Sequence, residues 1–200
     1  MMREASINRR TNETNIQLTL ALDGAGTYQV ETGCGFLDHM LELFSRHARV
    51  NLTVVCDGDT QVDDHHTVED IGIALGQALS RALGEKRGII RYGSMLLPMD
   101  EALCMVAMDI SGRSCLSFDA AFPSTKVGTF DTELVKEFFW AFAREAGVTL
   151  HIRGFAGENT HHIIEAIFKG FGRALRQAAA IDSEFANEIP STKGTLGGNA

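Results

Sequence analysis

Apolar and polar residues change rhythm several times along this chain, and each rhythm predicts an element. Residues 16–22 alternate as a strand, Asp23-Gly24-Ala25-Gly26 makes a turn, and residues 27–32 follow as a partner strand, which together read as a hairpin. Over residues 36–47 the apolar positions Phe36, Leu37, Met40, Leu41, Leu43 and Phe44 recur at helical spacing. Residues 51–56 alternate again. From His66 onward Val68, Ile71, Leu75, Ala78, Leu79 and Ala82 recur at three and four, which predicts an amphipathic helix that Gly84 can end.

The second half repeats this order. Residues 102–110 and 114–120 flank Ser111-Gly112-Arg113 as another hairpin, residues 132–146 read as a helix, 149–155 as a strand and 161–181 as a helix. The halves also align residue by residue. Residues 39–52 lie on 137–150 without a gap, matching Phe44 with Phe142, Arg46 with Arg144, Ala48 with Ala146, Val50 with Val148 and Leu52 with Leu150. A two-residue difference in the next loop then sets His65-His66 on His161-His162, Glu69 on Glu165, Gly76 on Gly172 and Leu79 on Leu175. The expected fold is therefore α+β, a tandem duplication of a hairpin–helix–strand–helix unit, with two related halves that each back a small sheet with helices. The halves divide the chain into residues 1–95 and 96–186, followed by a tail, 187–200.

The duplicated segments carry the chemistry. In His65-His66-x-x-Glu69, residues four apart share a helix face, so His65 and Glu69 can reach one cation together. His66 lies about 100° round the helix and is poorly placed for the same ion. His161, His162 and Glu165 repeat the pattern. Two such helices brought together would make two sites, each with a His–Glu pair from one helix and the odd histidine from the other. The alignment adds a fourth candidate ligand to each, because His39 falls on Glu137. Four ligands would leave open positions for substrate and water. Mixed imidazole and carboxylate ligation suits Mn, Fe, Zn or Ni, and spacing does not choose among them. His47 either contacts substrate or supplies a cation at a helix C-terminus. His151 lies in an alternating strand with no partner at ligand spacing.

Composition narrows the setting. The formal net charge of -8 argues against a nucleic-acid binder, and any anionic substrate must be held by a few local cations. The four cysteines, Cys34, Cys56, Cys104 and Cys115, form no C-x-x-C pair and read as buried small hydrophobes of a reducing compartment. No apolar run is long enough to span a bilayer, and the N-terminus has no apolar leader, so a soluble cytoplasmic protein with no membrane partner is expected. On these residues alone, a di-metal hydrolase of phosphorylated small molecules and a metal-buffering assembly protein stand beside a metal-dependent lyase.

The motifs Arg10-Thr11-x-Glu13-Thr14, Phe36-Leu37-Asp38-His39-Met40, Asp63-Asp64-His65-His66-Thr67-Val68-Glu69-Asp70, Asp109-Ile110-Ser111-Gly112-Arg113, His161-His162-x-x-Glu165 and Pro190-Ser191-Thr192-Lys193-Gly194 together resemble the imidazoleglycerol-phosphate dehydratase family, over essentially the whole chain. That resemblance implies a lyase of histidine biosynthesis which removes water from imidazole-glycerol phosphate. It implies two manganese ions per active site and a homo-oligomer of twenty-four subunits with sites at subunit interfaces. The metal ligands would be His39, His65, His66, Glu69, Glu137, His161, His162 and Glu165. Glu13 and Glu165 become candidates to move the proton, and Asp100 to meet the substrate hydroxyls. Arg91, Arg113, Lys169, Ser191 and Lys193 lie at motif positions suited to the phosphate, where the tail is expected to order.

Overall fold

A computed structural model describes residues 3–197; the remaining residues of the predicted segments 1–95 and 187–200 lie outside the described residues. The first half runs β1 (Glu4–Arg10), β2 (Thr14–Ala21), β3 (Tyr28–Glu31), α1 (Gly35–Ala48), β4 (Asn51–Gly58) and α2 (His65–Leu83). The second runs β5 (Tyr92–Met99), β6 (Ala102–Asp109), β7 (Cys115–Asp119), a small ribbon of β8 (Lys126–Val127) and β9 (Phe130–Asp131), then α3 (Leu134–Ala146), β10 (Thr149–Ala156) and α4 (Thr160–Ala179). The sheets have the orders β1-β2-β4-β3 and β5-β6-β10-β7, which are the same topology written twice. The duplication read from the sequence is therefore a duplication of fold.

Two strand pairings differ from expectation. β3 pairs in parallel with β4, and β7 in parallel with β10, so neither joins the strand before it. The glycine-bearing turns after β2 and β6 are thus crossovers. Turn composition does not distinguish a hairpin from a crossover, since both need the chain to reverse over a few residues. The true hairpins are β1–β2 and β5–β6. β1 and β5 escaped the apolar pattern because both are edge strands. β1 buries only Ile7, and β5 holds Gly93 and Pro98. The second sheet begins at Tyr92, so a boundary at residue 95 cuts through β5.

Each sheet presents one face to helices. Ile16, Leu18 and Leu20 of β2 alternate inward with Leu52 and Val54 of β4, while Cys104, Val106 and Met108 do the same in β6. α2 packs on β1 and β2, and α4 on β5 and β6. Both helix–helix pairs then cross between halves, α2 with α3 and α4 with α1. Six phenylalanines, Phe44, Phe138, Phe139, Phe142, Phe168 and Phe171, fill the centre of one continuous core. Phe44 stacks on Phe171 at 4.8 Å, and Phe142 meets the same ring edge-on at 4.8 Å.

Both crossings depend on a glycine. A Cβ on Gly76 would lie 2.7 Å from the Phe142 carbonyl oxygen and 3.0 Å from the Ala146 nitrogen. A Cβ on Gly172 would lie 2.8 Å from the Phe44 carbonyl oxygen and 2.9 Å from the Ala48 nitrogen. These are equivalent contacts, because Gly76 aligns with Gly172, Phe142 with Phe44 and Ala146 with Ala48.

The cysteines divide unevenly. Cys34, Cys56 and Cys104 are buried, and burial pushes their thiols up to about 12, 11 and 11. Cys115 corrects the expectation of four buried thiols. It opens the edge strand β7 and is exposed.

In a helix interior Gly→Ala ordinarily stabilises by about 1 kcal/mol. Gly172→Ala should instead cost about 1–3 kcal/mol, because the added methyl has no room against α1. Chemical denaturation would read the sign, and a stabilised variant would show that the helices have slack.

Candidate metal centre

Helix α4 begins where the Asn159 side chain accepts a hydrogen bond from the His161 backbone N–H at 2.9 Å. This cap fixes the first turn and sets His161 beneath Glu165. His161 Nε2 stands 3.1 Å from Glu165 Oε2, and His39 Nε2, brought in by α1, is 3.8 Å from the same oxygen. Among the described residues, His39, His161 and Glu165 are the one group of three whose ligand atoms lie within 4.8 Å of one another. Glu165 is only 8% exposed. Burial pushes its carboxyl up, but the ammonium of Lys169, paired with its other oxygen, outweighs that and holds it below its ordinary value. Lys169, expected at a phosphate, is thus placed on Glu165.

The equivalent turn of α2 is less closed. His65 Nε2 and Glu69 Oε2 are 4.0 Å apart, and among the described residues Glu137 on α3 does not join them in a comparable group. The odd histidines join neither cluster within the chain. His66 instead sets Nδ1 between the two oxygens of Asp59, at 3.1 and 3.0 Å, with Glu13 Oε1 3.7 Å from Nε2. His162 sets Nδ1 2.8 Å from Glu101, with Asp100 3.9 Å from Nε2. These carboxylate hydrogen bonds raise both imidazole pKa values. Glu101 in turn is held down to about 2, by His162 first and then by the backbone N–H groups of Asn159 and Glu158.

Two acids decide where these groups stand, and motif reading assigned a role to neither. Asp59 and Glu101 hold the histidines. A usable signal existed for Glu101, because Glu13 and Glu101 each directly precede the equivalent strands β2 and β6. A third acid, buried Asp70, pairs with Arg9 and accepts from the Thr14 hydroxyl, tying the β1–β2 turn to α2. The Thr11 hydroxyl accepts from the backbone N–H of Glu13 and of Thr14, so the turn that carries Glu13 is fixed at both ends.

The remaining candidates lie apart. Arg91, Tyr92, Ser111, Arg113, Ser191 and Lys193 line a pocket of about 680 Å³. Arg91 forks onto Asp109 at 2.7 and 3.2 Å and donates to the Pro190 carbonyl at 2.9 Å. With Gly88 donating to Glu188 and Lys86 to Leu196, it fastens the tail to the segment between α2 and β5. Arg113 is exposed beside it. His47 packs at the α1–α4 crossing, with its Cβ 3.2 Å from the position of a Cβ on Gly172 and its Nδ1 buried without a partner. Burial, with Arg173 and Lys169 nearby, lowers its pKa. Asp100, at the β5–β6 turn with φ of 49°, has a 72% exposed side chain. His151 is exposed on β10.

A duplicated α+β scaffold that sets His–carboxylate clusters at the heads of two equivalent helices defines a protein with a candidate metal centre. The family model of imidazoleglycerol-phosphate dehydratase matches residues 32–175. The chain belongs to the imidazoleglycerol-phosphate dehydratase family, hydro-lyases of histidine biosynthesis. It is 60% identical over 195 residues to the dehydratase of Dinoroseobacter shibae, covering 98% of this chain and 100% of that one. It is 59% identical over 197 residues to that of Rhodopseudomonas palustris strain HaA2, covering 98% and 100%. Among solved structures, the Staphylococcus aureus dehydratase superposes with a TM-score of 0.82 at 45% identity, covering 90% of this chain and 99% of that one. The Pyrococcus furiosus dehydratase, solved in complex with (S)-C348, gives 0.82 at 36% identity, covering 95% and 100%.

The metal-free protein should carry a pH signature of the His162–Glu101 pair. The raised pKa of His162 gives stability that is complete below 6.5 and lost as pH rises through the higher folded value. The depressed pKa of Glu101 gives stability that is complete above 4.5 and lost as pH falls through about 2. The melting-temperature gap between the parent and Glu101→Gln should be widest between those two ordinary values. A gap independent of pH would refute the pairing.

Proposed function

We propose that the chain dehydrates D-erythro-1-(imidazol-4-yl)glycerol 3-phosphate to 3-(imidazol-4-yl)-2-oxopropyl phosphate, using two manganese ions per site with the imidazole ring as electron sink. The observation that carries the metal reading is the convergence of His39, His161 and Glu165 on one point. Two imidazoles and a carboxylate are a fitting donor set for a divalent transition metal. His65, Glu69 and Glu137 would supply the second set by the duplication. Within the chain His66 and His162 are held by Asp59 and Glu101 rather than by either cluster, so each would complete a site on a neighbouring copy. That need for a second copy supports a homo-oligomer with sites at subunit interfaces, and we infer the twenty-four-subunit form.

The substrate has no carbonyl beside the carbon that must lose a proton, so its ring is the only available electron relay. The bound ions would withdraw electrons at the ring nitrogens and make the ring a competent acceptor. The residues of the chain do the rest. Glu13 is held by its threonine-braced turn beside His66 and is exposed, so it can reach a substrate proton. Glu165 is the second candidate for proton movement. Lys169 keeps it ionised, which suits a ligand first and a base second. Asp100, at its exposed turn, would meet the substrate hydroxyls, and His47 would line the approach from α1.

The phosphate would enter the pocket of Arg113, Ser191 and Lys193, with Arg91 holding the tail over it. The guanidinium of Arg113 offers a fork for two phosphate oxygens, and the Lys193 ammonium a mobile point charge. We divide the chain into two repeats, expected over 1–95 and 96–186 with the second sheet opening at Tyr92, and a phosphate-closing tail, 187–200. Among the described residues no helix is long and apolar enough to cross a membrane, which suits a cytoplasmic biosynthetic enzyme.

Incubation with imidazole-glycerol phosphate and manganese should give a product lighter by one water with its phosphate retained, read by mass spectrometry. Release of free phosphate would sink the lyase reading. Lys193→Ala should raise KM about tenfold or more while metal content stays at the parent level, the cost of one charge-assisted phosphate contact. An unchanged KM removes Lys193 from the phosphate site.

A further inference from the structure

His66 and His162 are equivalent by the duplication, and each holds Nδ1 against a carboxylate. The carboxylates themselves are not equivalent. Asp59 follows β4, and its counterpart after β10 is Gly157. Glu101 precedes β6, and its counterpart before β2 is Glu13. The same nitrogen of both rings is therefore held by acids from different places in the repeat. A casual surface ion pair would not be expected on one chosen nitrogen twice, from two different loops.

The second acid at each ring follows the same logic. Glu13 stands 3.7 Å from Nε2 of His66, and Asp100 3.9 Å from Nε2 of His162. Each imidazole thus has one acid closed on Nδ1 and another near Nε2. A carboxylate only accepts, so the acid at Nδ1 keeps the ring proton there and leaves the Nε2 lone pair free. Backbone contacts hold the Nδ1 acids in place. Glu101 accepts from the N–H groups of Glu158 at 3.1 Å and Asn159 at 2.8 Å, and the Asp59 N–H donates to the Glu13 carbonyl at 3.0 Å. Because Asp59 does this work in the first half, Glu13 is not consumed by it, whereas Glu101 is.

We propose that Asp59 and Glu101 are positioning residues for metal binding, which fix His66 and His162 in the Nδ1-protonated tautomer and aim each Nε2 at a divalent cation. The inference rests on the proposed ligand role of His66 and His162, and the experiment separates the two.

Manganese affinity and stoichiometry would be measured on the full chain by electron paramagnetic resonance for Asp59→Asn, Glu101→Gln, His66→Ala and His162→Ala. Each amide variant should weaken one ion by about 10–100-fold, as loss of an outer carboxylate on a metal-bound histidine does, and leave the other ion alone. Each alanine variant should abolish binding of that same ion. If the alanine variants lose their ion while the amide variants bind as the parent does, the positioning role falls and the ligand role stands. If His66→Ala and His162→Ala keep both ions, both readings fall. Solid-state nitrogen-15 spectra of histidine-labelled, metal-free parent protein give a readout that needs no variant to fold. Protons on Nδ1 of both rings are expected, and protons on Nε2 would overturn the inference.

Discussion

The structure turns on the two places where a helix backbone of one half touches a helix backbone of the other. At Gly76 and at Gly172 there is no side chain, and the opposing helix closes on the gap. This close approach brings α1 beside α4 along their length, so that His39 on the first turns of α1 meets His161 and Glu165 on the first turns of α4. The central phenylalanines then fill the space between the helix pairs. Larger residues at the two glycines would push the helices apart, and the donor atoms would separate with them. The geometry of the candidate metal centre at the helix ends is thus set by sterics near the helix middles.

The two halves keep this frame and diverge at its edges. One cluster is closed by an imidazole from α1, while its counterpart on α3 is a carboxylate, Glu137. One histidine is held from a loop after a strand and the other from a turn before one. The tail fastens to the segment that joins α2 to β5, through Lys86, Arg87, Gly88 and Arg91. A substrate with a ring at one end and a phosphate at the other needs such an asymmetric surface, and duplication followed by local change gives one without disturbing the core.

Much of this was legible in the sequence because duplication leaves a signal that periodicity alone does not. The paired histidines in register fixed the repeat, and the helices came out within a few residues of their predicted ends. Strand order was not legible. β3 and β7 look like hairpin partners of the strands before them, and only the later strands β4 and β10, which insert between, reveal the crossover. The roles of Asp59 and Glu101 were hidden for a different reason. Each is one acid among several in a polar loop, and its function is a hydrogen bond to a ring nitrogen that spacing does not encode. Helical spacing sets Lys169 one turn beyond Glu165, and its pairing with that buried carboxylate within the chain is a contact that motif position alone does not reveal.

The crossing of helices between halves also has a meaning for how the molecule holds together. The two helix pairs that meet backbone to backbone, α2 with α3 and α1 with α4, run between halves, so unfolding one half strips the other of surface that buries its helices. The chain is in effect a tethered dimer, whose connecting segment replaces a bimolecular encounter with a high effective concentration. Such a seam cannot hinge. The duplicated protein is therefore expected to melt as one cooperative unit, with the candidate metal centre held as firmly as the core beneath it.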